Sequence, residues 1–198
     1  ALTALHSVLM DGGVAGKTVL VAGGAGAVGH YAVQMAGRLG AARVLATAST
    51  PQKEALARAA GADDVIRYKS EPMVERVKEL TGGRGVDRII ELDMAGNGAA
   101  DLEMLRPGGD CVVYGSSAPA LQLPFFPLIA RNIQLRFFIV YHLPPADRAR
   151  AVGTLTRMLE RGALEHAIGA RMPLDEIVRA HEMQERGEVV GNLVLQAA

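Results

Sequence analysis

The six residues Gly24-Ala25-Gly26-Ala27-Val28-Gly29 follow the spacing G-x-G-x-x-G. The chemistry that such a run serves is the holding of a pyrophosphate. Its first glycine permits a tight turn, its second lets the phosphates approach the backbone, and its third lets a helix pack closely on a strand. A helix opening behind the run offers free N–H groups and a partial positive charge to the anion. The same residues would also suit a flexible loop in a chain with 23 glycines, so the flanking elements decide.

Which nucleotide is held turns on the charge about 20 residues further on, where a site for NAD or FAD places a carboxylate on the ribose hydroxyls. Between Gly29 and Lys53 there is no acidic residue. The chain runs instead through Ala48-Ser49-Thr50-Pro51-Gln52-Lys53, and a later segment ends in Arg67-Tyr68-Lys69. Lys53 or Lys69 alone reads as an ordinary solvated charge. The missing carboxylate, which would repel a phosphate, points to a ribose 2'-phosphate. It also argues against an S-adenosylmethionine methyltransferase, which wants an acidic residue at the same place.

Other reactive side chains form no pattern. The histidines His6, His30, His142, His166 and His181 have no ligand-spaced partners, so no zinc site is expected within the chain. His30 falls on the first turn of the helix behind the glycines. Cys111, the single cysteine, reads as a core residue. No Ser/His/Asp set and no paired carboxylates are readable.

The elements that must position these residues alternate. Residues 17–22 read as a buried strand, apolar and β-branched, and from Ala27 the apolar residues take helical spacing up to Gly40. The glycines therefore lie on a strand-to-helix turn. Further strands are expected at 43–48, 64–67, 86–93, 110–115 and 133–141, and helices at 2–10, 51–60, 71–80, 98–105 and 124–131. This rhythm implies βαβ units and an α/β, Rossmann-type, doubly wound parallel sheet of six strands, ordered 3-2-1-4-5-6. The rhythm then breaks: helices at 146–161 and 175–186 and a strand at 192–196 form a C-terminal appendage. The expected division is a dinucleotide-binding domain over 1–162 and a tail segment over 163–198.

Composition sets the setting. The chain has 198 residues, 21 Lys plus Arg against 21 Asp plus Glu, and no run of like charge. A nucleic-acid track or a basic membrane-binding face is not expected. The apolar runs are too short for a membrane span and no leader pattern opens the chain, so a cytoplasmic location is the expectation. The uncapped apolar start at Ala1 suggests a piece of something longer.

Taken together, VLVAGGAGAVGHYAVQMA, ATASTPQKEALARAAGADDVI, ELTGGRGVDRIIELDMAG, LRPGGDCVVYGSS and the terminal GNLVL resemble the medium-chain dehydrogenase/reductase superfamily. Within it the zinc-independent, zeta-crystallin-like NADPH:quinone oxidoreductase group is most similar, from Leu2 to the end. Full-length members carry a GroES-like catalytic domain ahead of this point, so the resemblance implies a cofactor-binding fragment whose catalytic residues lie elsewhere and whose segment 163–198 would return to that missing domain.

The resemblance also implies roles. Gly24, Gly26, Ala27, Val28 and Gly29 match the pyrophosphate turn. Ser49, Thr50, Lys53 and Tyr68 fall at the 2'-phosphate end of NADPH. Leu92 and Asp93 match a stretch near the cofactor's ribose, with Met94 where relatives often have another residue. Gly115, Ser116 and Ser117 match the loop over the nicotinamide side, and Phe137, Phe138 and Ile139 the sixth-strand segment meeting the carboxamide. For the two phenylalanines, core or interface packing is an equal reading. Asn192 matches a polar position near the phosphates. The sixth strand, 133–141, is the sheet's edge and is expected to pair with its twin in a homodimer, unless the tail or another domain covers it. The activity implied is hydride transfer from NADPH to a quinone, enone or other carbonyl, with no metal in this chain. Alternatives are the cofactor domain of a zinc-type alcohol dehydrogenase or enoyl reductase, and a non-catalytic NADPH-binding module of crystallin or sensor type.

Overall fold

A computed structural model describes residues 1–197. Its centre is a six-stranded parallel sheet ordered β3-β2-β1-β4-β5-β6, as expected. The strands are β1 (Thr18–Val21), β2 (Arg43–Ala48), β3 (Asp64–Arg67), β4 (Val86–Glu91), β5 (Leu105–Val113) and β6 (Gln134–Phe137). Alternation along each strand supplies two cores. Val19 and Val21 of β1 join Val44, Ala46 and Ile90 on one face, covered by α1 (Leu2–Leu9), α2 (Gly29–Arg38) and α7 (Pro145–Glu160). Leu20, Leu45 and Ile89 point to the other face, with α4 (Met73–Leu80) and α5 (Met94–Met104) over them. The short helices α3 (Pro51–Ala59) and α6 (Phe125–Ala130) complete the crossovers.

One buried charge ties these layers together. Arg88 in β4 is 0% exposed. Its Nε donates to Asp110 Oδ2 in β5 at 2.8 Å, while Nη1 donates to the carbonyls of Ser7, Val8 and Met10 at the end of α1. The guanidinium thus satisfies helix-end carbonyls that would otherwise be orphaned.

Three segments differ from the sequence expectation. The sixth strand is far shorter than 133–141. Its ladder pairs Asp110–Val113 with Gln134–Phe137, Phe138 N still donates to Val113 O, and the chain then turns into a 3-10 stretch at Val140–His142. β5 begins at Leu105 rather than 110, because Val86 pairs with Leu105 and Arg88 with Asp110, leaving Arg106–Gly109 as an excursion between two paired stretches. α5 begins at Met94 rather than 98, since the Asp93 carboxylate caps it by accepting from Gly96 N, and its two early glycines read as a turn only without that cap.

The tail holds a strand that the sequence pattern did not reveal. β7 (Ile168–Pro173) lies parallel to β8 (Asn192–Gln196), joined through α8 (Ile177–Glu185). β7 carries Gly169, ends in proline and is mostly exposed, so it lacks the alternation of a half-buried strand. Ahead of it the chain is clasped to α2. Gln34 Nε2 donates to Glu165 O at 3.0 Å and its Oε1 accepts from Glu165 N at 2.9 Å; His30 Nε2 reaches the same carbonyl at 3.2 Å, and the Tyr31 hydroxyl meets His166 Nδ1 at 2.7 Å. Ala198, last residue of the expected tail segment, lies outside the described residues. Among those described, no helix is long and apolar enough to cross a membrane.

Candidate functional site

The turn between β1 and α2 sits at the carboxyl end of the sheet, where parallel α/β folds bind ligands. Its left-handed residue is Gly23, at φ 64°, not Gly24 as the spacing suggested. Gly23 N donates to Thr47 Oγ1 at 2.9 Å, which ties the turn to β2. Gly24 serves packing: a Cβ there would lie 2.6 Å from the Ala46 methyl carbon. Gly29 has the expected close-packing role, since a Cβ would overlap the Gly23 carbonyl. Gly26 and Ala27 remain exposed, and Val28 stands at the helix N-cap with its side chain against the core.

A cavity of about 510 Å³ opens beside this turn. Gly23, Gly26 and Ala27 form its floor, and Thr47, Ser49, Lys53 and Tyr68 one wall. The opposite wall comes from the tail, through Ala180, His181 and Gln184 of α8 and Gly191, Asn192 and Leu193 around β8. No acidic side chain lines it among the described residues. The fold thus brings Ser49, Lys53 and Tyr68, up to 19 residues apart in sequence, into one wall. Thr50 is not part of that wall; its hydroxyl caps α3 by accepting from Lys53 N at 3.3 Å. Lys69 also stays outside. Asn192 lines the cavity, with its Nδ2 donating to Ala167 O at 3.1 Å. The α8 residues escaped sequence reasoning because a polar helix after the last crossover carries no signal of what it covers.

The strand ends of β4 and β5 form a second group. Leu92 abuts Gly23, where a Cβ would lie 2.6 Å from Leu92 Cδ2. Asp93 Oδ1 accepts from Ser117 N at 2.7 Å and Gly96 N at 3.2 Å, and Gly115 O accepts from Met94 N at 3.2 Å. The hydrogen bonds from Ser117 hold the Asp93 carboxyl below the usual carboxylate range. Ser116 Oγ donates to Ala118 O at 2.8 Å. The two loops are therefore laced to one another. Beneath them lie two buried carboxyls, Glu91 and Asp101, which the sequence reading did not find.

The sixth-strand segment splits. Phe138 packs its ring on His6, centroids 4.7 Å apart, whereas Phe137 and Ile139 are exposed. Among the described residues no group of His, Cys, Asp and Glu could hold a metal ion. The chemistry on offer is that of a phosphate-accepting turn with a cationic, carboxylate-free wall, which fits a dinucleotide carrying a 2'-phosphate.

A family model described as zinc-binding dehydrogenase matches residues 27–157. The chain belongs to that family. Zinc-binding dehydrogenases are part of the medium-chain dehydrogenase/reductase superfamily, and the relatives of this one include quinone oxidoreductases. The human quinone oxidoreductase is 28% identical over 182 residues, 91% of this chain and 55% of its own length. The 2-haloacrylate reductase of a Burkholderia species is 29% identical over 91% of this chain and 55% of its own. A mycobacterial protein solved in complex with NADPH is 33% identical, with a TM-score of 0.86 over 98% of this chain and 62% of its own. The chain thus spans about half the length of the curated relatives it matches.

Proposed function

We propose that the chain is the cofactor-binding part of a reductase that uses NADPH to reduce a quinone, enone or other carbonyl. The observation that carries this reading is the cavity wall in which Ser49, Lys53 and Tyr68 converge beside the glycine turn with no carboxylate among the described lining residues. In an NADH site that wall would carry an acid, and here the Lys53 ammonium meets a 2'-phosphate instead. The backbone at Gly26 and Ala27 holds the pyrophosphate at the start of α2, while Asn192 and the α8 side chains close the cavity from the other side. Leu92, Asp93, Gly115 and Ser116 flank the nicotinamide half, together with Phe137 and Ile139. When bound, the cofactor supplies a hydride from C4 of its nicotinamide. Residues 1–162 form the binding domain, and the tail from 163, described to 197, adds Asn192 and the α8 residues to the site. The groups that handle the substrate belong to the part of the full-length relatives that this chain does not match, and no zinc is assigned to this chain.

The same reading includes a cytoplasmic location, consistent with a lone buried thiol at Cys111, and a homodimer formed along the β6 edge. The partners are a small-molecule substrate and a second copy, not nucleic acid or membrane.

Calorimetric titration with NADPH and NADH, repeated on Lys53→Glu, tests the assignment. NADPH should bind at least tenfold tighter, about 1.4 kcal/mol, and the substitution should abolish that preference. Equal affinities for the two cofactors would overturn the 2'-phosphate assignment.

A further inference from the structure

Among the described residues that line the cavity beside the glycine turn, two are basic, and they stand on opposite walls: Lys53 on the sheet side and His181 on α8. The helix that carries His181 is sorted by charge. Gln184 lies four residues from Ala180 and three from His181, so the three share one side of α8, and all three line the cavity. Ala180, 4% exposed, seats that side. Arg179 pairs instead with Glu176 at 2.8 Å and Arg186 with Glu188 at 2.6 Å, and neither these nor Glu182 and Glu185 line the cavity. The helix thus turns its neutral and basic polar groups inward and its carboxylates away, the arrangement an anion needs. The imidazole is also free. No hydrogen bond among the described residues engages the His181 ring, which is exposed, whereas Asn192 on the same wall is tied to Ala167 O through Nδ2.

The phosphates of the cofactor have different needs here. The pyrophosphate is met by backbone at Gly26 and Ala27 and by the start of α2. The 2'-phosphate has side chains alone, Ser49, Lys53 and Tyr68, and all of them come from one wall. A phosphate presents three acceptor oxygens, and those turned away from the sheet face α8. We propose that His181 is a specificity-determining residue: a ring N–H donates to the 2'-phosphate of NADPH from the wall opposite Lys53, so the tail shares with the sheet the choice of NADPH over NADH. The inference rests on the cofactor reading above and adds to it a share of the selectivity for the tail. An imidazole donates one N–H when neutral and two when protonated, so the contact needs no particular charge state.

Calorimetric titration of NADPH and NADH on the native chain, His181→Phe and His181→Gln provides the test. His181→Phe keeps a ring and removes both nitrogens. Its Kd for NADPH should rise about fivefold, while that for NADH stays within about twofold. His181→Gln restores an N–H donor and should bring the Kd for NADPH back to within about twofold of the native value. Adenosine 2',5'-bisphosphate, which carries the 2'-phosphate end but no nicotinamide, should follow NADPH across the three chains. A residue that merely seats α8 would weaken both dinucleotides together. Equal losses for NADPH and NADH, no loss for NADPH in His181→Phe, or no recovery in His181→Gln would overturn the proposal and leave the native preference, and with it the cofactor reading, standing. A native chain that binds NADPH and NADH alike would overturn the cofactor reading and this inference with it.

Discussion

At the scale of single residues, the glycine turn shows how a spacing can be right and an assignment off by one. The sequence motif starts at Gly24, yet the backbone conformation that demands glycine is at Gly23. Gly29 is the position where the motif's steric argument holds without adjustment. Gly29→Ala should cost about 1–3 kcal/mol, because the new methyl must displace the Gly23 carbonyl, the same carbonyl that accepts from Gly26 N. Urea unfolding would show it as a lower midpoint at unchanged slope; a midpoint equal to that of the native chain would show that the turn yields freely. Ser49, Lys53 and Tyr68 were legible because the end of a strand is legible and parallel strands stop in one plane. His181 was not. It sits on a helix after the last crossover, and no spacing rule connects that helix to the strand ends across the cavity.

At the scale of elements, the clasp between α2 and the tail has a pH dependence with a definite sign. Burial holds the His30 imidazole below its ordinary value, against a smaller upward pull from the Glu165 carbonyl, and its Nδ1 has no partner. The folded state thus binds fewer protons than the unfolded one, so the clasp is at full strength above about pH 6.5 and is lost as the pH falls through the depressed value. Limited proteolysis should accordingly cut within 163–197 faster at about pH 5.5 than at pH 7.5, with the sheet intact. Gln34→Ala should reproduce the fast cutting at neutral pH, because it strips partners from both Glu165 backbone groups. Equal cleavage rates at both pH values would sink the idea. The elements themselves were readable where the chain alternates buried strand and amphipathic helix. They became unreadable where a strand is short, exposed or interrupted, as in β6, β7 and the Arg106–Gly109 excursion of β5.

At the scale of the whole molecule, one edge of the sheet is apolar and open. Phe125 and Phe126 are 73% exposed and Tyr141 81%, with Ile129, Phe137 and Ile139 beside them in the region of β6. A patch of this kind marks a contact surface. Size-exclusion chromatography with light scattering should give twice the chain mass, and Phe126→Glu together with Tyr141→Glu should return it to one. A native chain that runs as a monomer would remove the dimer from the proposed function. The strand order and the two-faced core were legible from the sequence, since strands alternating with helices imply a parallel sheet whose crossovers share one hand. The route of the tail was not, because nothing in its polar helix says which surface it lies on.

That route has a kinetic meaning. One wall of the 510 Å³ cavity belongs to the sheet and the other to the tail, which reaches it from a clasp built on Gln34, His30 and Tyr31. Loosening the clasp would free the tail wall, so a molecule lodged between the two walls is expected to leave faster when the tail lifts. Its residence time is then set at the clasp, by hydrogen bonds it never touches, and a change at Gln34 would shorten its stay without altering a single atom of the turn that grips its phosphates.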